Sequence, residues 1–130
     1  MTSPNGITWT SRTSAADKNW QSVIWSPEKG LFCAVASNGT VSGNRVMTSP
    51  DGINWTSRTS ADNSWQSVVW SKETGLFCAV ANNTNILMTS PNGITWTART
   101  SSIAVSSVIW SAELGMFCAV GNNSIMTSPP

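Results

Sequence analysis

Apolar and β-branched residues fall in short runs along this chain, and turn residues close each run. The stretch QSVIWS around Val23 predicts one strand. LFCAV from Leu31, whose side chains alternate between two buried faces, predicts a second. VMTS from Val46 predicts a third, and INWTSRT from Ile53 a fourth, with Trp55 on one face and Arg58 on the other. No stretch carries convincing helical periodicity, so the expected fold class is all-β.

The turns between these runs have their own chemistry. In SPDG, Pro50 presets φ near −65°, Asp51 tolerates the bridge region and Gly52 supplies positive φ. SPNG at Ser3 and at Ser90 does the same with Asn5 and Asn92. A second kind of turn, SPEKG, SKETG and SAELG, ends each time in glycine and predicts a short hairpin. Glu28, Glu73 and Glu113 align in these turns, where a carboxylate has a structural use in binding turn amides.

The pattern then repeats. MTSPNGITWT at Met1 returns as MTSPDGINWT at Met47 and MTSPNGITWT at Met88, and breaks off as MTSPP at Met126, spacings of 46, 41 and 38 residues. WQSVIWSPEKGLFCAV, WQSVVWSKETGLFCAV and VSSVIWSAELGMFCAV follow in phase. Repeats of this length are the mark of an array, each copy one supersecondary unit. The units run approximately over 20–58, 65–99 and 105–128, the last to be joined by 7–12 from a neighbouring chain.

Composition narrows the chemistry. The chain has 130 residues, 10% of them charged, and a formal net charge of +1. No basic stripe exists, so no nucleic-acid partner is expected. No apolar run reaches the ~18 residues of a membrane span, and no signal peptide is visible. The compartment is left open. There is no His and no Tyr, which removes the commonest general base and metal ligand. Neither a catalytic residue, a metal nor a cofactor is expected. Cys33, Cys78 and Cys118 occupy one repeat position and read as buried thiols, too far apart to pair.

Ser49-Pro50-Asp51-Gly52-Ile53-Asn54-Trp55 resembles the Asp-box, or BNR repeat, of sialidase-like propellers. Ser3, Gly6 and Trp9 match in the first copy, and Ser90, Gly93 and Trp96 in the third, with Asn5 and Asn92 in place of the aspartate. The resemblance covers nearly the whole chain at repeat level. It implies a β-propeller of four-stranded antiparallel blades, about three per chain, with these boxes as fold elements. It does not bring the sialidase chemistry with it, because the Tyr nucleophile is missing and the aligned Arg12, Arg58 and Arg99 fall on the outer strand. There they discourage edge-to-edge pairing.

Propellers have typically 4–8 blades. The expectation is therefore a ring completed by homo-oligomerisation through strand exchange, as a six-bladed homodimer or, alternatively, a nine-bladed homotrimer. Met126 to Ser128 and Met1 to Ser3 then compete for one strand position. The C-terminal copy is expected to hold it, with Met1 to Pro4 displaced.

The connections at one end of the strands are short and nearly invariant, whereas those at the other vary in length, and function tends to sit on loops of that kind. The variable loops carry Asn38 and Arg45, Asn82 and Asn83, and Asn122 and Asn123, amides of the sort that read sugar hydroxyls. Trp20 and Trp65 stand beside them, placed to stack on a pyranose ring if exposed, and Asp17 and Asp62 lie in the same loops. The function expected is a non-catalytic binding module, lectin-like, with a glycan as ligand. The alternatives are a structural or protein-interaction propeller, or a fragment or designed assembly with no native ligand.

Overall fold

The computed structural model describes residues 1–39 and 42–129. Among them lie eleven strands in three antiparallel sheets, and no helix. The first sheet has the order β1 (Lys18–Ser26), β2 (Leu31–Gly39), β3 (Val46–Ser49), β4 (Thr56–Arg58). The second repeats it with β5 (Trp65–Ser71), β6 (Leu76–Ala81), β7 (Thr84–Ser90) and β8 (Thr97–Val105). The third has three strands among the described residues, β9 (Ser107–Ser111), β10 (Met116–Gly121) and β11 (Ser124–Thr127). Each sheet is a meander, because every turn joins neighbours.

The strands differ from the expected ones in instructive ways. The fourth strand of the first unit holds only Thr56–Arg58 and omits Ile53 to Trp55. One oxygen of the Asp51 carboxylate accepts the N–H groups of Ile53 and Asn54 at 2.8 Å each, which fixes them in the turn. In the second unit the fourth strand runs past Arg99 to Val105. Thr84 extends β7 far enough to pair with Val105 across a register shift, and Ile103 reaches a core. Residues 7–12 are not a strand here. Thr10 makes a single bridge to Thr2, with N···O distances of 2.8 and 2.9 Å. Met1 to Pro4 are thus not displaced, and β11 lies on β10 as well, so both copies of the repeated segment are in place in the single chain.

Face-to-face packing of the sheets makes the core. Ile24, Cys33, Val35 and Val46 of the first sheet pack against Trp65, Phe77, Ala79 and Met88 of the second. The other face of the second sheet, with Cys78, Val80 and Val105, packs against Val108 and Ala119 of the third. LFCAV runs apolar on both faces because the middle sheet is covered on both. Burial pushes the thiols of Cys33 and Cys78 up to about 12, and all three cysteines are free. β1, β5 and β9 follow one another across the stack, and their serines join the sheets. The N–H of Val68 donates to Ser22 Oγ, and that of Val108 to Ser67 Oγ, at 3.3 Å each.

One glycine records how closely two elements approach. Gly121 stands where the first two units have Ala36 and Ala81. A Cβ there would lie 2.2 Å from the carbonyl oxygen of Ala104. Because β8 passes into β9 almost without a loop, its backbone sits on that position.

Candidate functional site

The two ends of the strands have different characters. At the end with constant turns, Ser49 Oγ accepts the N–H groups of Asp51 and Gly52, and Asp51 caps the next two amides. Ser3 with Asn5 and Gly6, and Ser90 with Asn92 and Gly93, make the same bonds through the Asn side-chain oxygen. The indole N–H groups of Trp9, Trp55 and Trp96 each donate to the glycine carbonyl of their own turn at 3.1 Å. These twelve residues are therefore joined within their turns. The backbone N–H and side chain of Asn54, then the N–H of Ile53, hold the Asp51 carboxyl well below the usual range; burial opposes them, and the Ser49 hydroxyl adds least.

The aligned arginines do more than charge an edge. The guanidinium Nε of Arg12, Arg58 and Arg99 donates to Thr2, Thr48 and Thr89 Oγ1 respectively, bracing the third segment of each unit to the fourth. The aligned glutamates also act between sheets. Trp70 Nε1 donates to Glu28 and Trp110 Nε1 to Glu73, both at 2.7 Å. The Glu28 carboxyl is held below its ordinary value by its own backbone N–H, then by the Trp70 indole. The sequence signal for this was present, an aligned Trp and an aligned Glu in every unit, but nothing along the chain tells that the two meet across units.

At the variable end, the structure divides the expected binding residues. Asn38, Asn82, Asn83, Asn122 and Asn123 are exposed. Asn83 and Asn123 have φ of 50° and 56°, so a left-handed turn already accounts for an asparagine there. Trp65 corrects the expectation of an exposed indole. It is fully buried in the core between the first two sheets, and its Nε1 donates to the Ala61 carbonyl at 3.1 Å. Trp20 makes the matching bond to Ala16 but remains half-buried. Val105 takes the third such position and is buried as well.

Arg45 is likewise engaged. Its guanidinium pairs with Asp62 and donates to the carbonyls of Ser37 and Asn63. It ties the β2–β3 loop to the β4–β5 loop, whereas Asp17 is exposed. The exposed amides thus gather at one end of the sheets, with the half-buried Trp20 beside them. Two apolar cavities of about 340 Å³ each are also present, one between the second and third sheets and one on the free face of the first, where Trp20 is part of the lining. Comparison with protein-family models, with curated proteins and with solved structures finds no match.

Proposed function

We propose that the three sheets are successive blades of an Asp-box β-propeller and that the ring is a non-catalytic binding module for a glycan. One observation carries the blade reading. The step from the first sheet to the second and the step from the second to the third are made by the same residues of the repeat. Serine meets a valine N–H, and glutamate meets a tryptophan indole, at both steps. An operation that repeats in this way generates a closed ring or an open screw, and the innermost strands β1, β5 and β9 then line its axis. The ring is completed by homo-oligomerisation, six blades from two chains.

The glycan reading rests on the exposed amides of Asn38, Asn82, Asn83, Asn122 and Asn123. Repeated weak contacts of this kind gain from multivalency. Asn83→Gly with Asn123→Gly keeps the left-handed backbone and removes two amides. A glycan array with the wild-type protein should give signal, and this double variant should lose it while its circular dichroism stays the same. An array without signal contradicts the glycan reading. The burial of Trp65 favours a second reading, a structural or protein-interaction propeller, which that empty array would support.

A further inference from the structure

The two outer faces of the stack carry halves of contacts that are complete inside it. Phe32 packs between Trp25 and Trp55, with ring centroids 4.5 and 6.2 Å away, and Phe77 between Trp70 and Trp96 at 4.6 and 6.4 Å. Phe117 has Trp110 at 4.6 Å and no second tryptophan among the described residues. The cavity of about 340 Å³ between the second and third sheets opens at Phe117, Met126 and Pro129, on the side where a fourth strand would carry that ring. Meanwhile Trp9, the matching tryptophan of the first turn, is 56% exposed.

The glutamates tell the same story. Glu28 and Glu73 each receive an indole from the following sheet, whereas Glu113 has, among the described residues, only the Ser111 hydroxyl at 3.4 Å. Trp25, the indole of the first sheet, has no hydrogen-bond partner for its Nε1 among the described residues. Ser107 stands at the position of Ser22 and Ser67, and Val23 at the position of Val68 and Val108. The apolar faces match as well. Ile109, Val120 and Ile125 are 59%, 44% and 71% exposed, although their counterparts in the second sheet, Val69, Val80 and Leu87, are packed against the third. The open cavity on the first sheet, lined by Val23, Phe32 and Met47, is what that face would cover.

We infer that a second copy of this chain docks head to tail, its third sheet receiving residues 7–12 of the first copy as a fourth strand. This rests on the blade reading above and deepens it by naming the partner and the contacts. Trp9 enters the cavity beside Phe117, Glu113 accepts the Trp25 indole, and Ser107 Oγ accepts the Val23 N–H. In the exchange β11 stays and Met1 to Ser3 give way. β11 holds four register pairs with β10 and places Met126 against the core, while Thr2 holds one bridge and Met1 is exposed. The cost is small, because Thr127 offers Thr10 and Arg12 the same backbone groups and hydroxyl that Thr2 offered. A Cβ at Gly52 would meet the Thr2 methyl as one at Gly93 would meet that of Thr48, so the hairpin already lies where a shared sheet would place it.

Light scattering at tens of micromolar with Trp9→Ala and Glu113→Ala tests the inference, because both side chains are exposed in the single chain and neither loss should impair folding. The wild-type mass should be twice 13.9 kDa. Trp9→Ala should weaken association by about 30-fold or more, as a buried aromatic anchor does, and Glu113→Ala should weaken it less. Circular dichroism should report the same β-structure in all three. A folded wild-type monomer overturns the inference and with it the completion of the ring from two chains, and leaves the reading of the three sheets as blades and the glycan test standing. A dimer that both substitutions leave intact overturns it too, since the chains would then meet on another surface.

Discussion

At the scale of single residues, the repeated turn is a small circuit of serine, aspartate or asparagine, and glycine. Its chemistry was legible in the sequence because all of it lies within a few positions of the chain. The acid dependence of Asp51 follows from its bonds. The folded protein holds this carboxyl below its unfolded value, so its contribution is full above the ordinary aspartate range, around pH 4. It declines as the pH falls from there toward the depressed folded value. Asp51→Asn keeps the amide-capping oxygen, as Asn5 and Asn92 show, and removes the titration. Urea unfolding at pH 7 and pH 3 should show wild type losing more stability between the two than Asp51→Asn. An equal loss would mean that the turn bonds do not set the carboxyl's affinity for its proton. The residues that were not legible are those whose partners lie far along the chain. Glu28 meets Trp70 and Arg45 meets Asp62, and no spacing rule connects them.

At the scale of elements, the meander and its strand order follow from the length and composition of the turns, and the structure bears out an all-β chain of antiparallel sheets. Boundaries were less legible. Asp51 removes three residues from the start of β4, and the pairing of Thr84 with Val105 adds six to the end of β8. Both depend on bonds between strands rather than on the propensity of either. The same limit applies to the tryptophans at the variable end. Trp20 and Trp65 open identical words, yet one lies on the outermost sheet and the other against a neighbour. Trp65→Ala should therefore cost about 3–5 kcal/mol by chemical denaturation, the range for an aromatic removed from a core, and Trp20→Ala distinctly less at a dilution that keeps the chains apart. Equal losses at that dilution would mean that the single chain packs Trp20 as tightly as Trp65.

At the scale of the whole molecule, three sheets repeat one operation and leave its two ends uncovered. The faces are complementary because they are the same two faces that meet twice inside the stack. Such a head-to-tail contact closes only if the rotation per sheet divides a full turn. In the ring we propose, with six sheets from two chains, residues 7–12 of each copy would complete the third sheet of the other. The shared register is already set by the units that are whole. Val46 pairs with Arg58, and Leu87 with Arg99. Ile125 should then lie opposite Arg12 of the partner, with Cα atoms about 5.5 Å apart, within disulfide reach.

The double variant Arg12→Cys, Ile125→Cys places two exposed thiols at that contact. Cys33 and Cys78 are buried and poorly ionised, so they take little part in mild oxidation. The measurement is the mass of the oxidised, denatured protein without reductant, set beside each single variant. The account predicts a covalent two-chain species in the double variant, at the same protein concentration at which both single variants remain single chains. A folded double variant that oxidises without joining chains would contradict it.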